Sequence, residues 1–220
     1  MDAQRVIDTL ERAVFTADER VSRTFGGSTL LGVETARMSY EARPADWAVA
    51  QESWVDEVIE VVGTNGAMTT TFGLLFPHSG DSLVLNSPAT MAALGRRVGV
   101  DLDPVAYAEL LAVLYSGATI DGPLGYAFSA TPSFPAGWLV READHFTAVL
   151  SVPDAPAVTP PTFGRAADGD WTLRFFSHNY YLLEIRSAVD VHRWTVTGGP
   201  GRAASWDRET IAARVARPLP

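Results

Sequence analysis

The first apolar positions of the chain recur at helical spacing. Ile7, Leu10, Val14, Ala17 and Val21 alternate steps of three and four and so share one face. Asp8 with Arg12, and Glu19 with Arg23, stand at i,i+4 on the other side, and Gly26-Gly27 supplies a stop. The pattern predicts an N-terminal helix packed on the chain's own sheet. Used as a seam, the same stripe would instead make a homodimer. Leu30, Leu31, Val33 and Met38 then suggest one or two short strands. Between 47 and 62 the periodicity is ambiguous, because Trp54, Val55, Val58, Ile59 and Val62 fit a helical face. The β-branched content, the Asn65-Gly66 turn signal and the following Thr69-Thr70-Thr71-Phe72 favour a hairpin.

A strand near Leu83–Leu85 precedes two well-punctuated helices. Ser87-Pro88 and Asp103-Pro104 each pair an N-cap residue with proline at the first helical position. Met91, Leu94 and Val98 form the first stripe, and Gly99 ends it. Tyr107, Leu110, Leu111 and Leu114 form the second, which stops at Gly117. Strand-like sequence lies on both sides, so about 87–116 reads as a helical insertion capping one side of a sheet. Gly137–Val140 and Phe146–Val152 read as short strands. Prolines at 153, 156, 160 and 161 mark a surface crossover.

The last third reads as a meander. Trp171–Phe176 and Tyr180–Arg186 flank Ser177-His178-Asn179 as a three-residue loop, and a further strand runs to Thr197. After Gly198-Gly199-Pro200-Gly201, Asp207 would cap a short helix, with Trp206 and Ile211 as its hydrophobic staple. The expected fold is therefore α+β, a single domain over 1–220. It has a largely antiparallel sheet, an N-terminal helix, a two-helix insertion near the middle and a short C-terminal helix.

Composition narrows the chemistry. All 17 basic residues are arginine, and neither lysine nor cysteine occurs. Schiff-base chemistry, the phosphate-loop lysine, thiolate catalysis and disulfides are thereby excluded. A net charge of −9 repels nucleic acid and anionic membrane, and only Arg96-Arg97 are adjacent. No apolar run approaches the ~18 residues of a membrane span. Met1-Asp2-Ala3-Gln4-Arg5 opens on charged sequence rather than a basic-then-apolar signal, which reads as cytoplasmic.

Candidate sites are few. Four histidines, His78, His145, His178 and His192, form no close ligand motif, so no metal site and no cofactor are expected. Glu142, Asp144 and His145 lie together, with a solvated loop end favoured over a cation site. Asp101-Leu102-Asp103 is explained by helix capping, and the glycine-rich 198–201 stretch by a plain turn. In an extended strand Asp190, His192, Trp194 and Val196 share a face, and an Asp-His pair there could serve as a general base, with His178 a further candidate. No Gly-x-Ser-x-Gly elbow accompanies it. Tyr180, Tyr181, Arg186 and Trp194 are the candidate contacts to a protein partner, since one of two adjacent strand tyrosines must face away from the core. The leading expectation is a non-enzymatic soluble protein that binds another, basic protein, in an immunity- or antitoxin-like role. The alternative is a small-molecule pocket protein or hydrolase using His192 and Asp190.

Overall fold

Asp2, not a glycine or serine, opens the first helix. Its carboxylate accepts from the Gln4 and Arg5 amides at 3.1 and 3.2 Å. A computed structural model describes residues 1–15, 19–27, 29–65, 69–116, 119–121, 127–130, 137–150, 152, 154–183 and 186–216. Its helices are α1 (Ala3–Ala13), α2 (Pro88–Leu94) and α3 (Pro104–Tyr115). The first strands are β1 (Arg23–Gly26), β2 (Leu31–Glu34), β3 (Ser39–Pro44), β4 (Val55–Thr64), β5 (Thr69–Pro77) and β6 (Leu83–Val84). Three short ones follow the helices: β7 (Thr119–Asp121), β8 (Ala127–Ala130) and β9 (Gly137–Leu139). The chain closes with β10 (Thr162–Arg165), β11 (Trp171–Leu183), β12 (Arg186–Gly199) and β13 (Arg202–Ala216). The fold is α+β and its pairings between strands are antiparallel.

Two sheets result rather than one. The first runs β1-β2-β3-β4-β5-β8-β7, with β6 also on β5; the second runs β10-β11-β12-β13, with β9 also on β11. β4 and β5 pair in register from Thr64↔Thr69 to Val55↔Pro77, so the hairpin reading of 47–62 holds from Val55 on, while Gly66 of the expected turn lies outside the described residues. α1 covers the outer face of the first sheet, where Val6, Leu10, Val14 and Phe15 meet Val33, Ile59, Phe72 and Leu74. It is shorter than its sequence stripe suggests. After Ala13 the chain turns so that Phe15 packs on Tyr40, ring centres 5.2 Å apart, and residues from Arg23 pair as β1. Glu19 does not pair with Arg23 on a helix. It is buried and accepts from Thr35 at 2.6 Å and Tyr40 at 3.3 Å.

The helical insertion is not a cap on one sheet. Except at Glu109, which pairs with Arg141, α3 is buried from Ala106 to Tyr115 and lies in a core that includes Val58 and Leu75 of the first sheet and Leu173, Phe175 and Trp194 of the second. A helix apolar on nearly every side has to be sandwiched. Asp103 caps it, accepting from Val105 at 2.7 Å and Ala106 at 3.0 Å. Its tyrosines find partners inside: Tyr107 donates to the Met91 carbonyl at 2.8 Å and Tyr115 to that of Leu85 at 2.9 Å. The outer face of the second sheet carries a third core, in which Val189 and Val191 meet Val140, Phe146, Val152 and Val158 from the 140–158 segment. The expected strand at Phe146–Val152 is instead a single π-helical turn over His145–Val149, and the proline-marked crossover folds back onto the sheet through Val158.

Two expectations for the last third are overturned. Ser177-His178-Asn179 is no loop, because β11 runs through it to Leu183, which pairs with Arg186 of β12. These polar residues look like a turn but are buried in the sheet, where Ser177 finds its partners in Ser116 and Trp194. The predicted C-terminal helix from Asp207 is β13, fifteen residues paired along β12. Burial there alternates, with Ala204, Trp206 and Arg208 turned inward and Ser205, Asp207 and Glu209 outward. That is a period of two, which a staple reading at N′ and N4 overlooks. Among the described residues no helix is long and apolar enough to cross a membrane.

α2 meets β13 at one close approach. A Cβ built on Gly95 would lie 2.1 Å from the Ala204 Cβ. Gly95→Ala is therefore expected to lower stability by about 1–3 kcal/mol through overpacking. Equilibrium urea unfolding reads this directly, and an unchanged midpoint would mean that β13 does not pack there.

Candidate functional site

The second sheet carries polar groups on both faces, and β11 decides which goes where. Ser177 stands across from His192 and His178 across from Val191, so the two histidines belong to opposite faces. On the inner face Ser177 sits under the end of α3. Its hydroxyl lies 2.6 Å from that of Ser116 and accepts from the Trp194 indole at 2.8 Å. Arg208 reaches from β13 to the last α3 carbonyls, Tyr115 and Ser116, each at 2.5 Å. A guanidinium at a helix C-terminus satisfies orphan carbonyls and complements the dipole.

His192 belongs to this inner assembly. Its Nδ1 is 3.0 Å from the Thr210 hydroxyl. Burial foremost, then the nearby Arg208 cation, pushes its pKa down to about 4, against an opposing pull from Asp190. Asp190 does not orient the imidazole. Its carboxylate accepts from the Arg214 amide at 2.6 Å, where Arg214 adopts a positive φ of 52°. Shifts in the β12–β13 register between Val189 and His192 separate the two roles. Thr210 and His192 thus form a hydroxyl–imidazole pair without the third member that a triad needs. A base held neutral down to about pH 4 is also far weaker than one tuned near 7.

On the outer face β9 lays Trp138 across from His178, and the two rings stack at 5.4 Å. The π-helical turn brings His145 to 4.9 Å from His178, and Phe146 stands edge-on to both. His178 is 3% exposed. Its pKa is pushed down to about 3, first by burial and then by His145 and His192. Burial also lowers His145, which the carboxylates Glu142 and Asp144 oppose. The sequence brought Glu142, Asp144 and His145 together; His178, more than thirty residues on, joins them only through the sheet.

Other candidates are placed more plainly. Trp194, expected at a partner contact, is 1% exposed and stacked on Phe175 at 5.3 Å, so it is core. Tyr180, Tyr181 and Arg186 lie on β11 and β12, and their side chains fall outside the described ones. Asp101 pairs with Arg97 at 2.5 Å, and Asp103 caps α3. The glycine-rich stretch is the turn between β12 and β13. Among the described residues no three His, Asp or Glu side chains converge as a metal set.

Two features escape the sequence reading. His78 has its Nδ1 2.5 Å from Asp56, with Arg5 3.6 Å from the same carboxylate. The signal was present, since pairing β4 with β5 from Thr64↔Thr69 brings Asp56 beside the end of β5. The second is an open apolar cleft of about 400 Å³ between β6 and α2, lined by Leu83, Ala89, Thr90, Ala93, Leu94 and Arg97. Ala89 and Ala93 are exposed at i,i+4, a spacing that puts both on one helical face. Beside it the Arg97 guanidinium lies 3.8 Å over the Trp54 ring. No family model, no curated protein and no solved structure matches this chain.

Proposed function

We propose that this chain is a non-catalytic binding protein that docks an apolar side chain of a basic protein partner in the cleft between α2 and β6. The observation that carries the reading is the cleft itself: an apolar, solvent-open surface on the helical insertion, with exposed alanines that leave room for an incoming side chain. The net charge of −9 argues for a basic partner, because complementary fields speed encounter. An immunity- or antitoxin-like role fits that charge, since proteins that act on nucleic acid carry basic surfaces. Against the hydrolase reading stand the engagement of Asp190 by the Arg214 amide and the weak basicity of the buried His192.

The test pairs salt with a cleft variant. Co-purification from the native host should yield a stoichiometric basic partner. Its association rate should fall by roughly ten- to a thousandfold from low to high salt. Ala93→Arg, at an exposed helical position, should weaken binding at least about tenfold while leaving the fold intact. Failure to recover a stoichiometric partner, or full affinity in Ala93→Arg, would sink the reading.

A further inference from the structure

Three buried side-chain polar atoms among the described residues lack a hydrogen-bond partner: Thr71 Oγ1, His145 Nε2 and His178 Nδ1. Roughly nine in ten buried polar groups find partners, so each orphan needs an explanation. Two of these three belong to one pair of rings, with centres 4.9 Å apart. Two orphaned Lewis-basic nitrogens on neighbouring rings are groups that one shared ligand would satisfy.

We infer that His145 Nε2 and His178 Nδ1 are the nitrogen ligands of a zinc-class divalent cation, completed by Glu142 or Asp144. Imidazoles bound to one tetrahedral zinc at about 2.0–2.1 Å have ring centres on the order of 5 Å apart, close to the separation here. Trp138 stacked on His178 and Phe146 edge-on to both rings hold the imidazoles in place, as packing around a metal site must. Among the described residues three ligands do not yet converge, so the preformed part is the histidine pair and a carboxylate has to swing in. Glu142 and Asp144 are exposed, and no ion pair holds either of them among the described residues. Both lie near enough for their charges to act on His145. Two imidazoles with carboxylate oxygen suit Zn²⁺ over Mg²⁺ or Ca²⁺, which prefer all-oxygen shells. The site is independent of the partner cleft and stands or falls apart from it.

The experiment uses the full chain, freed of metal by chelator. Zn²⁺ is titrated calorimetrically, and Co²⁺ is followed by the visible bands of the four-coordinate ion. We expect one ion per chain, with affinity lowered at least tenfold by His145→Ala. Because His178 is buried and its alanine variant can fail to fold, His145→Ala, on the π-helical turn, is the deciding variant. A double variant, Glu142→Gln with Asp144→Asn, should weaken binding and remove the four-coordinate Co²⁺ spectrum. Absence of saturable Zn²⁺ binding up to millimolar concentration would overturn the site, as would affinity unchanged in His145→Ala. Unchanged binding and spectrum in the double variant would overturn the carboxylate assignment.

Discussion

Trp194→Ala is expected to lower the unfolding free energy by about 3–5 kcal/mol, the range for deleting a fully buried large aromatic. The indole stacks on Phe175 with ring planes 12° apart, lies 5.8 Å from the Arg208 guanidinium and donates to Ser177 at 2.8 Å. Truncation opens a void between the second sheet and α3 and takes a donor from the buried Ser177 hydroxyl. Domains of this size are stable by roughly 5–15 kcal/mol, so one such change removes a large share. Trp194→Phe separates the two contributions: it refills much of the volume and leaves a loss of about 1–2 kcal/mol for the hydrogen bond. Guanidinium unfolding curves measure both. A loss below about 1 kcal/mol in the alanine variant would return Trp194 to the surface role its sequence context suggested.

Acid should destabilise the protein through His192. His192 is 3% exposed and stays neutral in the folded chain down to about pH 4, whereas in the unfolded chain it takes its proton near 6.5. Between those values the unfolded state binds the proton and the folded state does not, so stability falls as pH falls. The contribution is complete above about 6.5 and is lost progressively toward pH 4; at about pH 5 the loss is about 2 kcal/mol. His192→Gln keeps a partner for Thr210 and removes the titration. Urea midpoints at about pH 7.5 and about pH 5 should therefore draw closer in the variant by that amount. Equal pH dependence in both proteins would mean that His192 is open to water.

Local grammar was legible where local forces decide. Ser87-Pro88 and Asp103-Pro104 start α2 and α3, because a capping oxygen and a fixed φ act within one turn. Asn65 marks the hairpin of β4 and β5 for the same reason. Reading failed where residues local in sequence answer to distant partners. Ser177, His178 and Asn179 resemble a turn, yet Ser177 is satisfied by Ser116 and Trp194 from other elements. Asp207 resembles an N-cap, yet the pairing of β13 with β12 outweighs that propensity.

By itself the sequence determined an acidic, lysine- and cysteine-free α+β chain, the starts of its middle helices and a preference for one hairpin. It also determined which chemistries are closed to it, because a missing amine or thiol is missing in any fold. The tertiary structure decided that there are two sheets with α3 buried between them. It decided too that Asp190 serves a backbone amide rather than His192, and that His145 and His178 meet. The physical reason is range: caps and turns act over a few residues, whereas ring stacking, burial and long-range strand pairing join residues that nothing in the linear order connects.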